Sequence, residues 1–180
     1  MKKVILYIAS SLDGFIARND GKIDWLPGSG TEGSEEVVEN TEEHGYEKLM
    51  ERIDVILMGR KTYEQVLEFG EWPYSGIKSY VFTSKRLQEN NNVEFNDDAV
   101  KLVRELKIGK GKDIWLVGGA GLNGSLLNEG LIDEIIITII PAVIGDGIRL
   151  FDNLGKDAKL KLVSSKGFEN GMVQLKYHVA

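Results

Sequence analysis

Three short stretches of this chain combine glycine, hydroxyl and cationic residues in patterns that suit phosphate. Gly59-Arg60-Lys61-Thr62 follows the apolar run DVILM and opens a helical pattern. A helix N-terminus offers free N–H groups and a positive dipole end to an anion, and Arg60 and Lys61 add charge. Read structurally, the same residues make a turn at Gly59 and a capping box from Thr62 to Gln65. Thr83-Ser84-Lys85-Arg86 follows YVF. It holds two hydroxyls and two cations, the donors of a phosphate monoester site or those of an ordinary polar turn. Gly118-Gly119-Ala120-Gly121-Leu122 follows DIWLV, and Gly119, Gly121 and Gly124 spell GxGxxG. Glycines there admit a diphosphate close to backbone N–H groups. A Rossmann site also needs an acid ending the next strand. EIIITII ends at Pro141 without one. The loop is therefore read as a phosphate loop of another kind, or as a tight turn with close helix packing. Three such strand ends in one acidic chain point to one ligand with several phosphates. A dinucleotide carrying a 2′-phosphate would use all three.

The bulk composition narrows the remaining chemistry. The chain has 180 residues, 42% of them hydrophobic, and a formal net charge of −6. One domain over residues 1–180 is expected, large enough for a real core. A nucleic-acid partner would favour a basic face, and no basic block is present. There is no cysteine, which removes disulfides, Cys-based zinc sites and thiol nucleophiles. His44 and His178 lie far apart without metal-ligand spacing, so no metal site is expected. The first nine residues are too short for a membrane span and lack signal-peptide architecture. A cytoplasmic protein without membrane contact is the expectation.

The elements that must hold these residues follow from the patterning. Lys3–Ser10, Ile53–Met58, Ser79–Thr83, Asp113–Val117 and Glu134–Ile140 are short apolar runs of buried-strand type. Between them lie helical patterns over Glu35–Arg52, Thr62–Phe69, Ala99–Leu106 and Leu122–Asn128. Alternation of this kind predicts an α/β fold with a mainly parallel sheet covered on both faces. Leu160–Lys166 and Met172–Val179 flank GFENG without a helix and predict an antiparallel hairpin at the sheet edge. The longest irregular stretch is the glycine-rich loop over residues 18–34.

In their order along the chain, IASSLDGFIA, VILMGRKTYE, YVFTS, WLVGGAGLNGSLL and LIDEIIITIIPAVIGDGIRLF resemble the dihydrofolate reductase-like superfamily. Within it the chain is most similar to the RibD C-terminal family, the reductase domain of riboflavin biosynthesis. The resemblance covers essentially the whole chain. It implies an NADPH-dependent reductase with a mostly parallel mixed central sheet, helices on both faces and a C-terminal antiparallel hairpin. It implies that Ala9 and Ile16 bracket the nicotinamide and that Trp25 lies in a loop over it. Gly59, Arg60, Lys61 and Thr62 would contact the adenosine-side phosphates. Thr83, Ser84 and Lys85 would flank the 2′-phosphate, and Gly118, Gly119, Ala120, Gly121 and Leu122 would hold the diphosphate. Relatives of this kind pair, so a homodimer is implied, with the hairpin and IIITIIPAVI as candidate surfaces. Folate reductases carry a carboxylate after the tryptophan loop. Here Glu32, Glu35 and Glu36 follow Trp25. The cysteine-free chain has no counterpart of the zinc deaminase half of the bifunctional riboflavin protein.

The chemistry expected is hydride transfer to a C=N or C=O carbon of a small heterocyclic or carbonyl substrate. The model reaction is that of 5-amino-6-(5-phosphoribosylamino)uracil reductase. Asp13 and Asp24 are the candidate catalytic residues beside the nicotinamide, to orient substrate or relay a proton. Their structural alternatives are a Leu-Asp-Gly turn and a loop or cap residue. Lys22 and Arg149 are the cations on offer to a substrate phosphate. His44 is expected on a solvated helical face, His178 on the last strand, and Trp72-Pro73 in loop packing. Dihydrofolate reductase-type activity, a non-catalytic nucleotide-binding module and a Rossmann-type dehydrogenase are the competing readings.

Overall fold

The strands with the longest apolar runs occupy the middle of one sheet. In the computed structural model, which describes residues 1–27, 44–85 and 92–180, ten strands and four helices are arranged in chain order. They are β1 (Val4–Ser11), β2 (Phe15–Ala17), α1 (Tyr46–Arg52), β3 (Ile53–Gly59), α2 (Arg60–Glu68), β4 (Lys78–Phe82) and β5 (Val93–Asn96). There follow α3 (Ala99–Ile108), β6 (Asp113–Gly118), α4 (Ala120–Asn128), β7 (Glu134–Ile140), β8 (Ile148–Arg149), β9 (Leu160–Gly167) and β10 (Val173–Val179). The main sheet has eight strands in the order β5-β4-β3-β6-β1-β7-β10-β9, and β2 pairs with β8 apart from it. From β5 to β7 every pairing is parallel; β10 and β9 add an antiparallel edge.

Alternation along each strand divides the core into two layers. On one face Val4, Leu6, Val55, Leu57, Ile114, Leu116 and Ile135 pack against Val103 of α3 and Leu126 and Leu127 of α4. On the other Ile5, Ile56, Met58, Val81 and Trp115 meet Leu49 of α1 and Tyr63 of α2. The predicted α/β class, the two covered faces and the terminal hairpin are all present. Trp72 packs its loop as expected, edge-to-face against Tyr63 and Tyr74.

Several local expectations are corrected. Helix α2 begins at Arg60 with Gly59 as its N-cap and no side-chain cap bond, so Thr62 lies inside the first turn. The Thr62–Gln65 capping box therefore does not form, and Gln65 instead donates to the Gly21 carbonyl at 2.9 Å. His44 is not a solvated helical residue. It precedes α1, stacks 4.5 Å from Phe168, and its Nε2 is buried. The described part of the Glu35–Arg52 helix is α1, Tyr46–Arg52. Strand β5 and the β2–β8 pair had no counterpart among the predicted elements. Glu32, Glu35, Glu36 and Arg86 lie outside the described residues. Among the described residues, no helix is long and apolar enough to cross a membrane.

The two ends of the parallel strands differ in chemistry. At the N-terminal end, charges are paired off. Lys2 meets Asp54 at 2.6 Å and Arg52 meets Asp113 at 3.0 Å. Buried Glu134 sits among Lys3, Arg52 and Lys176 at 3.1, 3.3 and 2.9 Å. Burial opposes the charge on Glu134, but Lys176, Arg52 and Lys3 outweigh it and hold its carboxyl down at about 2. The C-terminal end carries instead the glycines, hydroxyls and loops singled out from the sequence.

Candidate nucleotide and substrate site

Sheet order brings the three phosphate-compatible stretches side by side. Strands β4, β3, β6 and β1 are consecutive neighbours. Their C-terminal ends lead into Thr83–Lys85, Gly59–Thr62, Gly118–Leu122 and Ser10–Ser11 respectively. At about 4.8 Å per strand, the row from β4 to β1 is about 14 Å long. Chain separation hides this adjacency, because residues 59 and 118 meet only through the β3–β6 register, where Met58 faces Gly118.

The middle of the row consists of two converging helix starts. Both α2 and α4 have a glycine N-cap, Gly59 and Gly119, and neither has a side-chain cap bond. Their first N–H groups are thus not consumed by their own caps. A Cβ on Gly119 would lie 3.5 Å from the Thr62 hydroxyl, and one on Gly59 would lie 3.9 Å from the Gly118 carbonyl oxygen. Gly118 has φ +127°, a conformation that side chains rarely adopt, and a Cβ there would lie 3.3 Å from Ile8 Cδ1. A bare backbone cradle between two helix dipoles suits a diphosphate. The third glycine of GxGxxG serves another purpose. A Cβ on Gly124 would overlap the Asp152 carbonyl oxygen, so Gly124 lets α4 seat on residues 150–153. Asn123, fully buried, strengthens that seat by donating to the Leu150 carbonyl at 2.9 Å.

The cations at the row's far end differ in engagement. Arg60 turns along α2 to Glu64 at 2.5 Å, while Lys61 and Lys85 are exposed. The Lys85 amide donates to the Thr83 hydroxyl at 3.0 Å, which curls the β4 end around its own side chains. Cations and hydroxyls of this kind are the usual donors to phosphate.

Around β1 the loops are tied into one rim. Asp13 accepts from the amides of Ile144 at 3.3 Å and Gly145 at 2.8 Å. Ser11 chiefly, then those amides, hold its carboxyl below the usual carboxylate range. Asp24 pairs with Arg18 at 2.6 Å, and Arg18 holds its carboxyl low as well. The two candidate catalytic residues are therefore ionised and engaged, Asp13 as a clamp on the 141–147 loop and Asp24 within its own loop. Asn19 donates to Asp146 at 2.8 Å and joins that loop to the one carrying Trp25. The Trp25 ring nitrogen is buried without a partner among the described residues. Ile16 is half-buried in β2, opposite the β8 strand that carries Arg149, whose guanidinium lies over Phe15. Lys22 is exposed and paired with Asp20 at 2.9 Å.

Sequence reasoning missed a neutral polar group beside Ala9. Ala9 faces Thr138 of β7, and Thr138 faces Gln174 of β10. The Gln174 amide donates to Thr138 Oγ1 at 3.1 Å and to the His44 carbonyl at 2.8 Å. The Tyr7 hydroxyl donates to the same carbonyl at 3.0 Å, and burial pushes its pKa up to about 12. The available signal was Thr138 itself, the lone polar residue within the apolar run EIIITII after Glu134.

Comparison with known proteins identifies the family and the fold. The RibD C-terminal domain family matches residues 2–174. The uncharacterized protein YwjB of Bacillus subtilis is 41% identical, covering 98% of this chain and 97% of its own. A candidate riboflavin biosynthesis protein of Shewanella sp. PV-4 superposes with a TM-score of 0.83 at 32% identity, covering 99% of both chains. A deaminase/5-amino-6-(5-phosphoribosylamino)uracil reductase of Thermotoga maritima shares the fold. Its TM-score is 0.69 at 18% identity, over 99% of this chain and 57% of that one. By sequence match and by fold, this chain belongs to the RibD C-terminal domain family, on the dihydrofolate reductase-like architecture.

Proposed function

We propose that the protein is an NADPH-dependent reductase that delivers hydride to a small heterocyclic or carbonyl substrate. The observation that carries this reading is the adjacency of the three phosphate-compatible strand ends on β4, β3 and β6, next to β1. Thr83, Ser84 and Lys85 receive the 2′-phosphate, Gly59 to Thr62 the neighbouring phosphate oxygens, and Gly118 to Leu122 the diphosphate. Ala9, Ile16 and Trp25 enclose the nicotinamide end. When bound, the reduced nicotinamide supplies the hydride. The chain's share is to hold the acceptor carbon beside Ala9 and to exclude water with the Trp25 and 141–147 loops. Asp13 acts by positioning the second of these. The proton that completes reduction at nitrogen or oxygen comes from solvent, because Asp13 and Asp24 are both held in their ionised forms. The family's aminouracil reductase reaction is the model for the substrate, and a dihydrofolate-type pteridine is the second choice.

Assembly belongs to the same reading. All eight residues of the edge strand β9 are exposed, with Leu162 at 53% and Val163 at 46%. An unpaired apolar edge of this length favours pairing with a second copy.

The test is separate titration with NADPH and NADH, followed by quenching of Trp25, Trp72 and Trp115 fluorescence. NADPH is expected to bind tightly and NADH weakly, and Lys85→Ala is expected to abolish the difference. Binding of neither nucleotide refutes the reading. Tight NADPH binding without turnover of any pyrimidine, pteridine or carbonyl substrate favours a non-catalytic nucleotide-binding module.

A further inference from the structure

We propose that Gln65 is a positioning residue that latches the loop carrying Trp25 to helix α2. The helix that receives the nucleotide's phosphates then also holds the cover over its nicotinamide; this rests on the reductase reading.

Residues 18–26 form a unit bonded to itself. The Arg18 amide donates to the Lys22 carbonyl, the Gly21 amide to the Arg18 carbonyl and the Leu26 amide to the Ile23 carbonyl, each at 2.9 Å. The Arg18–Asp24 pair at 2.6 Å ties the first turn to the second. A segment closed in this way moves as one piece, and Trp25 moves with it. Among the described residues, two hydrogen bonds fasten it to other elements. Asn19 donates to Asp146 at 2.8 Å in an exposed position, where water competes for both groups. Gln65 Nε2 donates to the Gly21 carbonyl at 2.9 Å from a half-buried position on α2. The Gln65 bond is the firmer of the two, because it is better shielded from water.

Helical spacing joins the latch to the phosphate cradle. Gln65 follows Lys61 by four residues and Thr62 by three, so all three lie on one face of α2. Thr62 turns its hydroxyl towards Gly119, where an added Cβ would lie 3.5 Å away. Gln65 stands one turn further on, about 5 Å along the axis. Arg60 and Glu64, neighbours of this face, are paired with each other and take no part in the latch. One turn of hydrogen-bonded helix carries position without a hinge. Removing the latch therefore leaves the phosphate donors in place and frees only the cover.

The experiment compares NADPH with adenosine 2′,5′-bisphosphate, which carries the adenosine-side phosphates and no nicotinamide, by titration calorimetry. Gln65→Met keeps the side-chain length and removes the donor. It is expected to weaken NADPH by about tenfold, the worth of one partly buried hydrogen bond, and to leave the bisphosphate unchanged. Gln65→Lys returns a long donor and is expected to restore the ratio of the two affinities. Amide exchange across residues 18–26 of the NADPH-saturated protein is expected to accelerate in Gln65→Met and not in Gln65→Lys. A Gln65→Met protein that binds NADPH like wild type overturns the proposal. Parallel loss of both ligands also overturns it, because Gln65 would then act on α2 itself. Either result leaves the reductase reading standing. Failure of NADPH to bind the wild type refutes the reductase reading, and the latch with it.

Discussion

Glu134→Gln tests the reading of the N-terminal ion cluster as a stability determinant separate from the site. The carboxyl is 3% exposed, with three cations within 3.3 Å. They hold its pKa at about 2, against an ordinary 4.5. At about 1.4 kcal/mol per pH unit, that difference corresponds to about 3 kcal/mol at pH 7. Lys3 and Arg52 are 50% and 35% exposed, so screening reduces the expectation to about 2 kcal/mol. A depressed carboxyl contributes fully above its unfolded pKa and loses that contribution as pH falls towards its folded pKa. The stability gap between wild type and Glu134→Gln should therefore be about 2 kcal/mol at pH 7. At pH 3 it should shrink to about 1 kcal/mol, since the wild-type group is becoming a neutral acid like the amide. Urea unfolding at both pH values measures it. A gap that is the same at pH 7 and pH 3 refutes the electrostatic account and leaves a packing defect. NADPH titration of the variant should match wild type, because Glu134 lies at the opposite end of the strands.

Other perturbations separate the remaining parts. Gly124→Ala drives a methyl into the Asp152 carbonyl, and thermal melting should report a loss of about 2 kcal/mol or more. Asp13→Ala releases the 141–147 loop, so amide exchange at Ile144 and Gly145 should accelerate while the β1 amides keep their protection. Unchanged exchange would show that the clamp does not hold the loop. Leu162→Asp places charge on the exposed edge strand, and sedimentation should show a shift from dimer to monomer. A wild type that sediments as a monomer refutes the pairing.

The sequence by itself determined what is local. Continuous apolar runs named the buried strands of the parallel sheet, because a strand covered on both faces cannot afford polar positions. Gly59, Gly118 and Gly119 were legible as helix-entry glycines, since a strand–glycine–helix order is written in consecutive residues. The helix start at Arg60 was misjudged because Thr62 and Gln65 satisfy a local rule that the tertiary contact of Gln65 with Gly21 overrides. Strand β5 is four residues long and gains its identity from pairing with β4, so its own pattern is too short to announce it. Asp13 was singled out as a candidate catalytic residue or a turn residue, and its hold on the 141–147 loop was not legible because its partners, Ile144 and Gly145, lie 131 and 132 residues away. The same distance problem concealed Thr138 and Gln174. Only strand register decides which side chains share a face, and register is settled when the whole sheet assembles.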